Sequence, residues 1–274
     1  MRLPRELVET WSHEPNWIAA LPELVAACVA RWDLEPEEPI DTPHSLVVPA
    51  GAVVLKLNAP SHAEAATEAD ALVAWRGRGA VRLLDRDDER RALLLERCVP
   101  GTRLWDTDAD EIDVIAELVP RLQIPVPEDH PFRLLADEAG RWAEEVPRRY
   151  TEAGAPFERS LLDAALDVYR SVERSADWLV NQDLHGGNVL SSEREPWLVI
   201  DPKPLVGERE LEASGLLRNA RDVSRWLDAL AELGLDRGRA RGWGVAHNLA
   251  WAWDERRGWL DHHVEEARRI LSAR

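Results

Sequence analysis

The sequence contains little lysine and little cysteine. Lys56 and Lys203 are the only lysines, and every other residue among the 34 basic side chains is arginine. Because a compact ammonium and a planar guanidinium serve different purposes, the positions where lysine remains are candidates for a specific role. The two cysteines, Cys28 and Cys98, could form at most one disulfide bond and are not grouped as zinc ligands are. This cysteine content favours a reducing, cytoplasmic location.

Long apolar runs and an excess of positive charge are also missing. The first residues lack the apolar core of a signal peptide, and no stretch approaches the roughly 20 apolar residues of a membrane span. We therefore expect a cytoplasmic protein without a membrane partner. The 51 acidic residues give a net charge of −17. Since nucleic-acid binding depends on clustered basic residues, this charge excludes a nucleic-acid partner and favours a cationic small molecule.

Hydrophobic patterning divides the 274 residues into two parts. Residues 1–97 combine a helical start, a helix at 62–75 and short apolar runs typical of an antiparallel sheet, at 45–49, 52–57, 81–84 and 92–96. Residues 98–274 change to long amphipathic segments at 110–122, 132–150, 157–178, 214–233 and 242–271. The sequence thus predicts an α+β fold with a small antiparallel-sheet N-lobe (1–97) and a larger helical C-lobe (98–274).

The stretch between residues 179 and 213 carries the strongest chemical pattern. Asp183 and Asn188 bracket a glycine-containing loop, and two strand-like runs then lead to Asp201. A hairpin of this kind would bring Asn188 and Asp201 to within about 5 Å at its open end, where their oxygens suit Mg²⁺. In protein-kinase-like enzymes the first Asp of this pattern receives a hydroxyl proton, and the Asn and second Asp hold metal. The alternative is an exposed polar loop that uses Asn and Gly for turns.

A second pattern lies upstream. Lys56 ends a strand-like run, and Glu68 follows twelve residues later on a predicted helix. This spacing matches a strand lysine that steers nucleotide phosphates and is fixed by an ion pair to a helix glutamate. Glu64, one turn earlier, is the alternative partner.

These motifs resemble the aminoglycoside and hydroxyurea resistance kinases, most closely their streptomycin 6-phosphotransferase branch. The resemblance spans nearly the whole chain and rests on residues 53–57, 68–85, 93–97, 182–190, 196–208 and 216–219. It departs from the family at Asn181, where a histidine is usual and where an asparagine can organise the backbone through hydrogen bonds.

The resemblance implies a bilobal, protein-kinase-like fold that uses ATP and Mg²⁺. It makes Asp183 the catalytic base, and it implies that the metal ligands are Asn188 and Asp201. The implied nucleotide-binding residues are Lys56, with Glu68 to orient it, the main chain of Glu96 and Cys98 at the hinge, and Lys203 near the phosphates.

The implied reaction is transfer of the ATP γ-phosphate to a hydroxyl of a streptomycin-like aminoglycoside. Nothing in the sequence requires more than a monomer. Candidate contacts to this cationic acceptor are Glu212, Asp222, Trp251, Asp254 and Glu255. Two alternatives remain open at this stage. One is a kinase for an amino sugar, hydroxyurea or another small alcohol, and the other is a kinase-like nucleotide-binding protein without turnover.

Overall fold

A computed structural model describes residues 1–218 and 220–273. Asn219, the last residue of the family-like segment 216–219, and Arg274 lie outside the described residues. The helices are α1 (Arg5–Thr10), α2 (Pro15–Trp32), α3 (Glu68–Trp75), α4 (Glu111–Leu122), α5 (Leu135–Glu152), α6 (Arg159–Arg170), α7 (Ala213–Leu217), α8 (Val223–Glu232), α9 (Arg237–Trp251) and α10 (Asp261–Ser272). The strands are β1 (Ser45–Ala50), β2 (Val53–Asn58), β3 (Leu83–Asp87), β4 (Ala92–Glu96), β5 (Pro100–Arg103), β6 (Ile124–Pro125), β7 (Trp178–Asn181), β8 (Val189–Ser192), β9 (Trp197–Val199), β10 (Pro204–Gly207), β11 (Trp253–Asp254) and β12 (Gly258–Trp259).

The chain forms two compact units. The first contains residues 1–102 and 190–201, and the second contains residues 103–189 and 202–274. The segment from 190 to 201 therefore returns to the unit that holds the N-terminal sheet. The lobe boundary between residues 97 and 98 stays a prediction.

The first unit is built on an antiparallel sheet with the strand order β1-β2-β4-β3. Successive strand side chains point to opposite faces. Leu55 and Leu57 on β2 belong to the apolar cluster that the sheet shares with residues of α1 and α2. Lys56 and Asn58 alternate with them and so point to the other face of the sheet. The sheet confirms the antiparallel arrangement expected from the sequence.

Helix α3 is shorter than the sequence predicts. The helical pattern began at His62, but a 3₁₀ turn occupies Ala63–Ala65 and Thr67 has a non-helical backbone with φ −114° and ψ 17°. The α-helix therefore starts at Glu68, whose side chain is fully buried. As a result, Glu68 lies in the first helical turn, where the helix dipole favours a carboxylate.

Arg194 anchors the returning hairpin within the first unit. Strands β8 and β9 belong to a three-stranded sheet with the order β5-β8-β9. Arg194 lies in the turn between β8 and β9. Its guanidinium bonds both carboxylate oxygens of Glu96 and the carbonyl oxygens of Gly77 and Ala80. At the other end of the hairpin, Val199 exchanges backbone hydrogen bonds of 2.8 and 3.0 Å with Gly79 and Val81. These contacts fix the chain just before Asp201.

The second unit is mainly helical, and three of its predicted helices end early. The predicted helix 157–178 ends at Arg170, and Trp178 begins a strand instead. The predicted helix 214–233 is interrupted, and Asp222 caps the new helix α8 by accepting from Arg225 N. The predicted helix 242–271 breaks where Asp254 accepts two backbone N–H groups in the β11–β12 turn. In the last two cases short polar side chains bond the backbone in place of the helix.

Strands β6, β7 and β10 form the small sheet that positions the central loop of the second unit. In its antiparallel register Asn181 lies opposite Pro204. The loop that follows β7 and the residue that precedes β10 therefore leave the sheet side by side. Within the described part of the chain, no helix combines the length and apolar character needed to cross a membrane.

Candidate active site

In the first unit one ammonium group is shared by two carboxylates. Lys56 Nζ lies 2.6 Å from Glu68 Oε1 and 2.5 Å from Asp201 Oδ1. Asn58, two residues further along β2, donates to Glu68 Oε2 at 3.1 Å and accepts from Ser45. Both Lys56 and Glu68 are buried. The strand, the helix and the hairpin thus each contribute one charged group to a single cluster.

The charges in this cluster favour an ionised lysine and an added cation. Burial alone would lower the pKa of Lys56, but Asp201 and Glu68 outweigh burial and raise that pKa. Burial also raises the pKa of Glu68, which Lys56 opposes. With both carboxylates ionised, two negative charges would surround one positive charge. Such a site attracts a further cation.

Asp201 has an uncommon, left-handed backbone conformation. Its φ is +50°, in the left-handed region that side chains other than glycine rarely adopt. Strain of this kind persists when the surrounding structure holds it, and it is common at functional sites. Here the bond to Lys56 and the anchored hairpin hold the residue in place.

In the second unit Asn181 organises the loop around Asp183. Its Oδ1 accepts the backbone N–H of Asp183 at 3.2 Å and that of Lys203 at 3.0 Å. The asparagine therefore orders the backbone through hydrogen bonds, as expected from the sequence. Its bonds hold Asp183 and Lys203 next to each other.

Asp183 is paired with two cations. Lys203 Nζ lies 2.7 Å from Asp183 Oδ2, and Arg218 Nη1 lies 3.0 Å from Oδ1. Burial opposes ionisation of Asp183, but Lys203 and Arg218 outweigh burial and lower its pKa. The carboxylate is therefore ionised at neutral pH and able to accept a hydrogen bond from a hydroxyl group.

The rest of the loop is held by aromatic stacking and a buried turn. Asn188 Nδ2 donates to the carbonyl oxygen of Asp183 at 3.1 Å. His185 accepts the backbone N–H of Gly187 and stacks on Trp105 at 4.7 Å between ring centroids. His185 thus packs and hydrogen-bonds inside the loop. Glu111 Oε1 accepts from Gly186 N and Trp105 Nε1, which ties Trp105 to the same turn.

Each of the two predicted metal ligands offers an oxygen atom of the kind that Mg²⁺ prefers. The amide nitrogen of Asn188 is used inside the loop, which orients the amide so that its oxygen can serve as a ligand. Asp201 supplies a carboxylate that is 30% exposed. The described residues contain no group of three or more His, Cys, Asp or Glu side chains suited to a metal. Mg²⁺ needs only one or two protein oxygens, since phosphate and water complete its shell.

At the predicted hinge, Glu96 makes structural hydrogen bonds, whereas Cys98 carries a protonated thiol. Glu96 N donates to Arg82 O at 3.0 Å, and the Glu96 carboxylate binds Arg194. Its side chain is therefore structural. Burial is the main cause, and the negative charge of Glu96 the second, of a Cys98 pKa raised to about 11. The thiol therefore stays protonated at neutral pH.

The structure places the five predicted acceptor contacts in different surroundings. Asp222 caps α8, Asp254 closes the β11–β12 turn, and the exposed Glu255 pairs with Arg149 at 3.0 Å. The ring of Trp251 contacts the two cations that bind Asp183. Lys203 Nζ lies 5.0 Å and Arg218 Cζ lies 4.6 Å from its ring centroid.

Glu212, the remaining predicted contact, is fully buried. Its Oε2 accepts from Gln123 at 2.5 Å, whereas Oε1 has no hydrogen-bond partner. Burial raises the pKa of Glu212 from 4.5 to about 8. The folded protein therefore holds this proton more tightly than the unfolded chain does. The stability that this protonation contributes is present below the unfolded pKa and is lost as the pH rises through the folded pKa.

A Glu212→Gln variant tests this pH dependence. The glutamine amide is neutral at every pH. The melting temperature of the variant should therefore rise relative to that of the wild type as the pH increases from about 5 to about 8. Differential scanning calorimetry across this range measures the difference. An offset that stays constant with pH would show that Glu212 is not buried as a protonated acid.

Gly215 on α7 lies directly against the Asp183 loop. A Cβ atom there would collide with the Leu184 carbonyl oxygen and lie 2.8 Å from Leu184 N and 3.1 Å from Asp183 C. Backbone atoms cannot yield as a flexible side chain can. The absence of a side chain at Gly215 therefore permits this close approach.

Gly215→Ala should destabilise the protein by about 1–3 kcal/mol and reduce activity, because it pushes on the loop. The matched control is Gly140→Ala on α5, where a Cβ meets nothing within 4 Å. Alanine at that helical position should stabilise by about 1 kcal/mol. Urea unfolding of both variants measures these changes, and equal effects at the two sites would contradict the described packing.

Comparison with known proteins agrees with this arrangement. A model of the aminoglycoside/hydroxyurea antibiotic resistance kinase family matches residues 31–258. The chain belongs to this family. It is 39% identical to a streptomycin 6-kinase of Streptomyces griseus, over 91% of this chain and 89% of the relative. It is 38% identical to a hydroxyurea phosphotransferase of Kitasatospora aureofaciens, over 92% of this chain and 80% of that relative. This antibiotic resistance kinase is thus a small-molecule phosphotransferase that uses a nucleotide.

Solved structures show the same fold at low identity. The choline kinase LicA from Streptococcus pneumoniae matches with a TM-score of 0.64 at 13% identity, covering 92% of this chain and 97% of that one. A macrolide 2'-phosphotransferase from Brachybacterium faecium matches with a TM-score of 0.55 at 15% identity, covering 90% and 98%. These likenesses confirm the predicted α+β, protein-kinase-like fold.

Sequence reasoning missed several residues around the predicted ones. Arg218 belongs to a family-like segment, but nothing in the sequence indicates its contact with Asp183. Trp105 and Glu111, which hold the glycine turn, carried no recognisable motif. Asn58 could have been found from strand alternation, since it lies on the same face of β2 as Lys56.

Proposed function

We propose that this kinase transfers the γ-phosphoryl group of ATP to a hydroxyl of a streptomycin-like aminoglycoside. The observation that carries the chemistry is the buried Lys56, shared by Glu68 of α3 and Asp201 after the hairpin. The acceptor rests on the 39% identity to the Streptomyces griseus streptomycin 6-kinase. Together they favour a catalytically active enzyme over a nucleotide-binding protein without turnover.

Each cluster has a distinct role in this proposal. Lys56 binds the α- and β-phosphates, and Glu68 keeps its ammonium in place. Asp183 accepts the hydrogen bond of the acceptor hydroxyl and takes its proton as the phosphoryl group transfers. A base of lowered pKa suffices, because phosphoryl transfer depends mainly on positioning and on charge stabilisation. Lys203, paired with Asp183, carries a positive charge suited to the phosphate oxygens.

The proposed metal ion is Mg²⁺, held by Asn188 and Asp201. Asn188 directly precedes β8 and Asp201 follows β9, and these strands are neighbours in one sheet. When bound, the ion would neutralise negative charge on the β- and γ-phosphates. The partly exposed carboxylate of Asp201 supports a cation at this position.

The proposed adenine contacts are main-chain groups of Glu96 and Cys98. LicA, which shares this fold, has been crystallised with AMP, which supports nucleotide binding by the same scaffold. We propose that the protein works as a monomer in the cytoplasm, where ATP is available and where free cysteines such as Cys28 and Cys98 persist.

The proposed acceptor is cationic, consistent with the net charge of −17. A negative surface raises the local concentration of cationic ligands and speeds their encounter. The contacts proposed from the sequence are Glu212, Asp222, Trp251, Asp254 and Glu255. Of these, Asp222 and Glu255 are exposed, whereas Glu212 is fully buried. Hydroxyurea is a second candidate acceptor, because a hydroxyurea phosphotransferase is 38% identical to this chain.

A coupled ADP-release assay over a panel of acceptors tests the proposal. The panel contains streptomycin, hydroxyurea and an uncharged amino sugar derivative, each with ATP and Mg²⁺. We expect release above the acceptor-free rate with streptomycin. ADP release with hydroxyurea but not with streptomycin would show that hydroxyurea is the acceptor. Nucleotide binding by calorimetry without release for any acceptor would contradict turnover.

A further inference from the structure

Arg218 lies at the centre of a compact cluster in the second unit. It follows α7 and reaches Asp183, which is 35 residues earlier in the chain. Each oxygen of the Asp183 carboxylate is bound by a different cation, Oδ1 by Arg218 and Oδ2 by Lys203. A donor at each oxygen fixes the orientation of the carboxylate plane. A single donor would leave the carboxylate free to rotate.

The two cations are themselves held in place. The ring of Trp251 lies within 5.0 Å of Lys203 Nζ and 4.6 Å of Arg218 Cζ, as in cation–π contacts. His247 Nδ1 lies 3.2 Å from Arg218 Nη2, and its Nε2 lies 3.1 Å from Gln182 Oε1. Burial, and then the charge of Arg218, lowers the pKa of His247, so the neutral ring accepts from Arg218 and donates to Gln182.

One nitrogen of the Arg218 guanidinium makes no hydrogen bond. Its Nε is buried and has no hydrogen-bond partner. Asn181 Nδ2 and Glu212 Oε1, near the same loop, share this property. A buried donor without a partner costs stability, so the guanidinium of Arg218 depends on the contacts of its other nitrogens.

We propose that Arg218 is a positioning residue for Asp183, which it orients together with Lys203 while Trp251 and His247 hold its guanidinium. This inference rests on the proposed function, because it takes Asp183 as the base. In this arrangement the ring of Trp251 packs against both cations. Arg218 then acts through Asp183 and not on the nucleotide.

The chain offers a matched control for this cluster. Arg239 bonds both carboxylate oxygens of Glu208 and lies 5.2 Å from the ring centroid of Trp243. Its side chain is 20% exposed, against 14% for Arg218. Arg239→Met therefore removes the same kind of interaction in the same unit, but away from Asp183.

The experiment compares Arg218→Met, Arg218→Lys and Arg239→Met with the wild type by steady-state kinetics, thermal melting and crystallography. Arg218→Met should lower kcat about a hundredfold with an unchanged KM for ATP, because a misplaced catalytic group costs about that much. Arg218→Lys should recover part of kcat, since it restores the charge. Arg239→Met should lower the melting temperature but keep the kcat of the folded enzyme.

The crystal structures separate this inference from the proposed function. In Arg218→Met the Asp183 carboxylate should be rotated from its wild-type plane. An unchanged kcat, or an Asp183 that stays in place, would overturn the positioning role. If the wild type phosphorylates no acceptor, the proposed function fails, and the orientation of Asp183 in the two structures still decides whether Arg218 positions it.

Discussion

An Asp183→Asn variant is expected to lose about a thousandfold in kcat for phosphoryl transfer while it continues to bind ATP. Asparagine keeps the shape of the side chain but cannot take the hydroxyl proton, and a positioned general base contributes about 10²–10⁴-fold to rate. The ADP-release assay measures kcat, and calorimetry measures nucleotide binding.

Loss of stability must be separated from loss of the base in this variant. The substitution leaves Lys203 and Arg218 facing a neutral amide, and removing one partner of a buried pair costs about 3–5 kcal/mol. Activity is therefore compared below the melting temperature of each variant. Asp163→Asn, which alters an exposed carboxylate paired with Arg159, controls for the change in net charge. Wild-type kcat in folded Asp183→Asn would show that another group takes the proton.

The second large effect is expected at Lys56. Lys56→Met should lower kcat about 10²–10³-fold and raise the KM for ATP, because a preorganised positive charge is lost from the phosphates. It should also destabilise the protein, since Glu68 is fully buried and would lose its partner. Kinetics and urea unfolding of the same preparation measure both changes.

A double variant separates these two consequences. Lys56→Met with Glu68→Gln removes both charges of the buried pair, so much of the lost stability should return. Activity should stay low, because the ammonium is still missing. Recovery of kcat together with stability would contradict a direct role of Lys56 at the phosphates.

The parts of the fold that follow local patterns could be predicted from the sequence. Alternating apolar residues in β2 identify the strand, and the twelve-residue spacing from Lys56 to Glu68 places the two on adjacent elements. The QDLHGGNVL segment at residues 182–190 identifies the loop around Asp183, because Asp183 and Asn188 have the spacing found in phosphoryl-transfer enzymes. Each of these signals lies within a short stretch of chain.

The features that the sequence did not reveal depend on contacts between distant residues or on competition for the backbone. Lys56 and Asp201 are separated by 145 residues, and Arg218 and Asp183 by 35. No periodicity encodes such pairs. The predicted helix 242–271 failed because Asp254 bonds two backbone N–H groups, which the apolar pattern around it does not show. Helical periodicity therefore overestimated helix length at residues 214–233 and 242–271, where an aspartate side chain bonds the backbone.

The most direct test follows the phosphorus atoms of ATP by ³¹P NMR in the presence of purified enzyme, Mg²⁺ and streptomycin. The proposed reaction predicts that the γ-phosphate signal is replaced by that of a phosphate monoester on the antibiotic, at a rate far lower with Asp183→Asn. If the γ-phosphate is instead released as inorganic phosphate, or remains on ATP while nucleotide is bound, transfer to a hydroxyl of the acceptor is contradicted.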